Sequence, residues 1–131
     1  MLDNDGRVDA LVTVLGGPIQ LFHNISETDN HWILLNLVGT KSNRMAIGAQ
    51  VHIVTEHGRS QWNEVTTAVG YACSSDSRVH FGLGANKHIK QIEIRWPSGI
   101  KQVMYDVGVD QILTIEERVS NSLGGAAARP K

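Results

Sequence analysis

Acidic residues near the start of the chain are spaced like the ligands of a calcium-binding loop. Asp3, Asp5 and Asp9 match the later carboxylates of the pattern Asp-x-Asp-x-Asp-Gly-x-x-Asp, and Arg7 can supply a carbonyl. Met1 stands where that pattern has its first carboxylate. Calcium takes about six to eight oxygens, so waters would have to complete the shell. The expectation is therefore no cofactor, or weakly bound calcium, with a solvated turn before a strand as the alternative.

A second group of polar residues joins two predicted strands. Asn43 and Arg44 follow Ser42 on a segment bounded by Gly39 and Gly48. Side chains on a loop held by a rigid scaffold often form binding sites, and an amide beside a guanidinium can bracket a sugar hydroxyl or a carboxylate. The alternative is structural: Asn43 would take a left-handed backbone conformation and Arg44 would brace a neighbouring carbonyl.

A third polar segment combines an aromatic ring with hydroxyl and charged groups. It contains Tyr71, Ser74, Ser75, Asp76 and Arg78. With a tryptophan nearby, Trp62 or Trp96, this set would suit a saccharide that stacks on aromatic rings. Trp96 shares the apolar side of its predicted strand with Ile94, however, and is expected to fill the core.

The residue types that catalyse reactions are present without the spacing that catalysis needs. The six histidines form no zinc-binding pair, Cys73 is the only cysteine, and Ser74 and Ser75 lack a nucleophile-elbow context. Glu116 and Glu117 are adjacent in a predicted strand and therefore project to opposite faces. We expect no enzyme; a hydrolase using Asp76 and a histidine is the remaining catalytic alternative.

The elements that must position these residues are predicted to be β-strands. Apolar residues recur with a period of two, most clearly where Ile92, Ile94 and Trp96 alternate with polar residues. Turn residues such as His57-Gly58 and Pro97-Ser-Gly99 separate the segments. Strands are expected at 32–38, 50–55, 61–69, 79–83, 89–96, 101–105 and 111–116. This pattern predicts an all-β fold, an antiparallel β-sandwich or partly closed barrel preceded by an N-terminal β-hairpin.

Length and composition set limits on the partners. The 131 residues suit one domain, and 41% hydrophobic with 19% charged residues is typical of a globular protein. A net charge of -1 gives no reason to expect nucleic acid as a partner. No apolar stretch approaches the roughly 20 residues of a membrane span, and the first residues do not resemble a signal peptide.

Three ordered motifs resemble the ASPIC/UnbV family. They are Ser-Asn-Arg-Met-Ala-Ile-Gly-Ala at 42–49, His-Phe-Gly-Leu-Gly at 80–84 and Trp-Pro-Ser-Gly at 96–99. Met45 stands where members of that family often carry an acidic residue. The resemblance implies an extracellular or periplasmic protein in which this domain follows a β-propeller of FG-GAP-like repeats. It also implies three parts: 1–24 as the end of one such repeat, with its Asp-rich loop and hairpin, 25–118 as the ASPIC/UnbV-like domain, and 119–131 as a flexible tail.

The sequence thus predicts a noncatalytic accessory module with a glycan or protein ligand. The expected ligand-binding residues are Asn43, Arg44, Tyr71, Ser75, Asp76 and Arg78. A structural cap of a β-propeller, with no ligand, is the alternative. The hairpin carries apolar side chains that sister strands would cover in a complete propeller, so a homodimer formed through the hairpin is also expected.

Overall fold

Nine β-strands form the regular secondary structure of residues 2–118, the range that the computed structural model describes. They are β1 Ala10–Val12, β2 Gln20–Phe22, β3 His31–Val38, β4 Gln50–Thr55, β5 Ser60–Glu64, β6 Val79–Gly84, β7 His88–Arg95, β8 Lys101–Gly108 and β9 Gln111–Glu116. No helix in this range is long and apolar enough to cross a membrane. The tail predicted at 119–131 lies outside the described residues.

The strands form a two-layer arrangement and a separate hairpin. One sheet has the order β6-β3-β9, the other has the order β5-β4-β7-β8, and β1 pairs with β2. The predicted all-β sandwich with an N-terminal hairpin is confirmed, and no sheet closes into a barrel. One pair departs from the antiparallel expectation: β3 and β9 are parallel, with Ile33 opposite Gln111 and Val38 opposite Glu116. Both strands therefore end at the same edge of the domain.

The core lies between the two sheets and follows the period-two pattern. Ile33, Leu35 and Leu37 of β3 face Ile92 and Ile94 of β7 across a fully buried interior. Trp96 is buried as expected, and its indole N–H donates to Oε1 of Gln102 over 3.1 Å. This hydrogen bond satisfies the polar atom of a residue that otherwise fills apolar space.

The turn after β7 is short because its residues are suited to reverse the chain. Gly99 adopts a φ of +92°, and its N–H donates to the carbonyl of Trp96 over 2.9 Å. Trp96 in turn donates to the carbonyl of Ile100 over 2.9 Å. A residue without a side chain takes this left-handed conformation with no steric cost, which fixes the register of β7 with β8.

The N-terminal loop, residues 2–9, packs on the outer face of the three-stranded sheet. Nε2 of His80 lies 2.9 Å from the carbonyl oxygen of Gly6, and Nη1 of Arg78 donates to Oδ1 of Asn4 over 3.0 Å. The ring of Trp32 stacks on His80 with 6.5 Å between centroids. A Cβ added to Gly6 would lie 2.1 Å from the Trp32 ring, so only glycine allows this close approach.

The β1–β2 hairpin is apolar on both faces. Leu11 lies opposite Leu21 on one face, whereas Ala10 lies opposite Phe22 on the other. Every residue of the two strands is exposed. Large apolar side chains are thus exposed along the whole hairpin and its flanks: Val8, Leu11, Val12, Val14, Leu15, Ile19, Leu21, Phe22 and Ile25.

We predict that Gly6→Ala destabilises the protein more than Gly16→Ala. Both glycines have positive φ, +89° and +73°, but nothing lies within 4 Å of a Cβ at Gly16. Gly16→Ala should therefore show only the backbone cost, about 1–2 kcal/mol. Gly6→Ala adds the clash with Trp32, for about 1–3 kcal/mol more. Urea denaturation measures both, and equal losses would show that the loop does not pack against Trp32.

Candidate functional site

The carboxylate of Glu117 lies where the parallel strands β3 and β9 end together. The N–H of Glu117 continues this pairing by donating to the carbonyl of Val38 over 2.9 Å. Its Oε2 accepts three consecutive backbone N–H groups, from Thr40 and Lys41 at 2.9 Å and from Ser42 at 2.7 Å. The first residues after β3 therefore wrap around one carboxylate oxygen.

The other carboxylate oxygen joins a third segment to the site. Oε1 of Glu117 accepts hydrogen bonds from the hydroxyls of Ser42, at 2.8 Å, and Ser98. The N–H of Ser98 donates to Oγ of Ser42 over 3.1 Å, and the hydroxyl of Thr40 donates to the carbonyl of Glu117 over 3.0 Å. One side chain thus connects the segment after β3, the turn between β7 and β8, and the end of β9.

These contacts change the acidity of Glu117. The residue is only 3% exposed, and burial alone would raise its pKa. Hydrogen bonds from the Ser98 hydroxyl and from the N–H groups of Ser42 and Thr40 outweigh burial and lower the pKa from 4.5 to about 2. Glu117 is therefore ionised at neutral pH and serves as a fixed negative charge inside the loop.

Residues 39–49, which we call the clamped loop, are also held from within. The N–H of Gly39 donates to the carbonyl of Arg44 over 3.1 Å, and a Cβ on Gly39 would lie 2.0 Å from the carbonyl oxygen of Asn43. Nδ2 of Asn43 donates to the carbonyl of Ile47, and the N–H of Ile47 donates back to Oδ1 of Asn43, both over 2.9 Å. The amide of Asn43 is therefore engaged by its own loop.

The structural alternative expected Asn43 to take the left-handed backbone conformation, but another residue of the clamped loop takes it. Among its residues other than glycine, Ala46 takes positive φ, at +54°. The N–H of Ala46 donates to the carbonyl of Asn43 over 2.8 Å, and its side chain is fully buried. A small side chain fits that buried corner, and the hydrogen bond to Asn43 helps to hold the backbone in the left-handed region.

The clamped loop exposes one cation and two apolar side chains. Within residues 2–118, the guanidinium of Arg44 makes no hydrogen bond or ion pair. Met45 is 56% exposed and Ile47 is 39% exposed. We call these three residues the Arg44 surface; the structure presents them on a loop whose backbone is fixed at both ends.

The second polar loop leaves the same end of the sandwich. The N–H of Val65, directly after β5, donates to the carbonyl of Ala49 over 2.9 Å, which connects the two loops at their bases. Tyr71 is fully exposed, and the N–H of Ser75 donates to the carbonyl of Thr67 over 3.0 Å. Trp96 is buried elsewhere, so the structure does not place its ring beside Tyr71.

Asp76 and Arg78 of that loop bind each other. Nε and Nη2 of Arg78 donate to Oδ2 of Asp76 over 2.8 and 2.5 Å, and the N–H of Arg78 donates to Oδ1 over 3.0 Å. The side-chain hydrogen bond from Arg78 lowers the pKa of Asp76. Because Arg78 also contacts Asn4, this pair attaches the second loop to the N-terminal loop.

The N-terminal acidic residues take different positions in the structure. Asp3, Asp5 and His23 bring one potential ligand atom each within 4.8 Å of the others. Asp9 instead accepts the N–H groups of Leu2, at 2.7 Å, and Asn24, at 2.9 Å, and these hydrogen bonds lower its pKa. Asp5 is paired with Arg7, which likewise lowers the pKa of Asp5. Weak calcium binding by Asp3, Asp5 and Asp9 stays a prediction.

A groove between the N-terminal loop and the three-stranded sheet contains further ionisable groups. Nδ1 of His31 lies 2.6 Å from Oδ2 of Asp110, and the N–H of Trp32 donates to Oδ1 of Asp110 over 3.2 Å. The groove is also lined by Asp5 and His80, whose partners are Arg7 and the carbonyl of Gly6. These pairs hold strand ends and the loop together.

The sequence did not reveal the role of Glu117, and it named Trp62 only as a possible ring beside Tyr71, not as a partner of His52. The period-two pattern correctly puts Glu116 and Glu117 on opposite faces, but it cannot show what the buried carboxylate contacts. The available signal was a charged residue directly after a predicted strand, at a position where the period of two points inward. Trp62 is 54% exposed and stacks on His52, a contact that follows from strand pairing rather than from local sequence.

The fold and the site define an all-β domain in which loops of several strands meet around one buried carboxylate. Residues 39–122 match the family described as "ASPIC and UnbV", and the chain belongs to that family. Cartilage acidic protein 1 of Mus musculus is 25% identical over 118 residues, covering 88% of this chain and 18% of the relative. The Homo sapiens protein of that name is 25% identical, with 88% and 17% covered. In Xenopus tropicalis, cartilage acidic protein 1 is 27% identical over 100 residues, with 74% and 15% covered.

These comparisons confirm the family resemblance carried by the three sequence motifs. The chain spans less than a fifth of the length of these relatives, at 15–18%. The similarity therefore concerns one part of each of these relatives.

We predict that Glu117→Gln removes a pH-dependent part of the stability. A pKa lowered from 4.5 to about 2 corresponds to stabilisation on the order of 3 kcal/mol. Because the folded-state pKa is the lower one, this contribution is complete above about pH 5 and is lost as the pH falls towards 2. Urea denaturation from pH 7 to pH 2 measures it as the difference between the two proteins.

Glu116→Gln is the matched control for this experiment, since Glu116 is the exposed neighbour in the chain. At pH 7 it should lose much less stability than Glu117→Gln, because its side chain is exposed. A difference between Glu117→Gln and the unsubstituted protein that stayed constant from pH 7 to pH 2 would contradict the assignment.

Proposed function

We propose that this chain is a noncatalytic accessory module of an extracellular or periplasmic protein, and that it binds a protein ligand through the Arg44 surface. The observation that carries the proposal is the clamped loop: its backbone is fixed by Glu117 and Asn43, while Arg44 is exposed and unpaired among the described residues. A loop fixed before binding loses little conformational entropy when it binds. The location rests on the family resemblance.

The chemistry of the Arg44 surface favours a particular kind of ligand. A guanidinium binds a carboxylate through two parallel hydrogen bonds, and Met45 and Ile47 are exposed on the same loop for apolar contacts. No aromatic ring belongs to this surface, so it lacks the flat platform on which a sugar stacks. A protein segment with an Asp or Glu next to apolar residues matches it.

The contacts of the ionisable groups support a noncatalytic role. Asp76, the carboxylate of the hydrolase alternative, is paired with Arg78, and its lowered pKa makes it a poor proton donor. Glu117 is enclosed by five hydrogen-bond donors and is ionised at neutral pH. Neither carboxylate has the raised pKa of a general acid.

Arg44→Ala should weaken binding without changing stability. The test is an array of acidic peptides in which Asp or Glu is flanked by Leu, Val or Phe, followed by affinity measurement on the strongest hits. Losing a charge-assisted pair should weaken binding about tenfold or more, since such bonds contribute about 1.5–3 kcal/mol. Lys41→Ala, which removes another exposed cation of the same loop, is the control and should bind normally. Unchanged affinity of Arg44→Ala, or no binding by the unsubstituted protein, would contradict the proposal.

A structural role is the second candidate, and the exposed hairpin favours it. A two-stranded ribbon with apolar side chains on both faces is only marginally stable in water unless other strands cover it. In the FG-GAP context that the family resemblance implies, preceding repeats would supply those strands, and the domain would cap a β-propeller.

When this chain is studied alone, we predict that the hairpin is covered by a second copy. Residues 10–22 contain no charged side chain, so two identical hairpins can approach without repulsion. Burial contributes about 25 cal/mol per Å² of apolar surface before the cost of association. Sedimentation at micromolar concentration should show a dimer.

Leu21→Lys should shift that dimer towards monomer, because it places a charge on one face of the hairpin. Val69→Lys adds the same charge at an exposed apolar position of the second polar loop, outside the hairpin and its flanks, and serves as the control. A strictly monomeric chain at high micromolar concentration would rule out the dimer.

A further inference from the structure

The outer face of the four-stranded sheet presents an ordered aromatic ring. Trp62 of β5 lies directly opposite His52 of β4, and their rings stack with 4.3 Å between centroids and 13° between planes. The tryptophan is nevertheless 54% exposed. Stacking fixes the indole at the surface of an edge strand, where a free tryptophan side chain would otherwise sample several rotamers.

Two cations are fixed beside this ring by one carboxylate. Glu93 of β7 accepts a hydrogen bond from Nε of Arg95 over 3.0 Å. It also forms an ion pair with Nζ of Lys101, at 3.4 Å. The side chain of Glu93 is 10% exposed, whereas those of Arg95 and Lys101 are 55% and 56% exposed. The guanidinium carbon of Arg95 lies 5.4 Å from the centroid of the Trp62 ring.

Strand register shows how these groups share one surface. Arg95 lies opposite Gln50 on one side and Lys101 on the other, while Gln50 lies opposite Glu64. Side chains of directly opposite residues point to the same face of a sheet. A row of one exposed amide and two exposed cations thus runs next to the row that holds Trp62 and His52, and Glu64 is the acidic residue at its edge.

We propose that this face, which we call the Trp62 face, binds an anionic saccharide, with a sugar ring on Trp62 and its carboxylate or sulfate group on Arg95 and Lys101. Sugars offer an apolar C–H face to an aromatic ring and hydroxyls to an amide such as that of Gln50. Charge complementarity favours an anionic sugar, because Arg95 and Lys101 share the single carboxylate of Glu93, while the other carboxylate of this face, Glu64, lies on the edge strand.

This site is separate from the Arg44 surface in both residues and ligand chemistry. The Arg44 surface combines a cation with apolar side chains on a loop, whereas the Trp62 face combines an aromatic ring, one amide and two cations on a sheet. Loss of either site leaves the residues of the other in place, so each proposal can fail alone.

The test is calorimetric titration of the full chain with a heparin hexasaccharide, an oligogalacturonate and the neutral maltohexaose. The two anionic probes should bind and the neutral one should bind at least about tenfold more weakly. Trp62→Ala and Arg95→Gln should each weaken anionic binding about tenfold, and Trp62→Phe should restore part of it. Arg95→Gln should also reduce the salt dependence of binding.

Two further variants separate this site from general charge effects. Glu64→Gln removes the carboxylate at the edge and should strengthen binding a few-fold, since like charge repels an anionic ligand. Tyr71→Ala removes a fully exposed aromatic ring on the second polar loop, and Arg44→Ala removes a cation on the clamped loop; both should bind the probes normally.

The proposal is overturned if neither anionic probe binds. It is also overturned if Trp62→Ala binds as tightly as the unsubstituted chain while its melting temperature is unchanged, or if Arg44→Ala abolishes saccharide binding. Because Trp62 and Arg95 are more than half exposed, these substitutions should leave the fold intact, which circular dichroism checks. Equal binding of maltohexaose would likewise overturn the assignment of an anionic ligand.

Discussion

A single buried carboxylate holds one end of this domain together. Glu117 lies at the end of the last strand, and it receives three backbone N–H groups from the segment after β3 and two hydroxyls, one of them from the turn between β7 and β8. These donors lie in partly buried surroundings, where a polar group needs a hydrogen-bond partner. Placing one negative charge among them satisfies all five donors and fixes the loop that carries Arg44.

A second carboxylate acts in the same way on the outer face of the other sheet. Glu93 is nearly buried and holds Arg95 and Lys101, whose charged ends stay exposed beside Trp62. In Glu93, as in Glu117, burial raises the pKa but the hydrogen bonds to its partners lower it overall. The domain thus uses two ionised, inward-lying glutamates to position outward-lying groups, an arrangement that suits binding better than proton transfer.

The local features of this fold could be predicted from the sequence, whereas its long-range features could not. The alternation of Ile92, Ile94 and Trp96 with polar residues predicted a strand and its buried face, and the structure confirms both. Gly99 marked the following turn for a physical reason, its freedom to adopt positive φ. The parallel pairing of β3 with β9 joins residues 78 positions apart, as in Ile33 and Gln111, and no local pattern carries that information.

The same limit explains what was missed at the site. Residues 42–44 were predicted to bind a ligand because of their residue types. The role of Asn43, however, depends on its hydrogen bonds with Ile47. The conformation of the whole loop depends on Glu117, which follows β9 and is distant in sequence. The stacking of Trp62 on His52 likewise needs the register of β4 with β5. Residue type predicted which segments matter, and tertiary pairing decided what each side chain does.

Glu117 keeps the clamped loop rigid, so that Arg44 is presented in one geometry. Backbone ¹⁵N relaxation measures this directly at Thr40, Lys41, Ser42 and Arg44. If the three N–H groups are held by the carboxylate, their order parameters should be close to the value of about 0.85 found in rigid backbone. Order parameters below about 0.6 along this segment, typical of a flexible loop, would contradict the account.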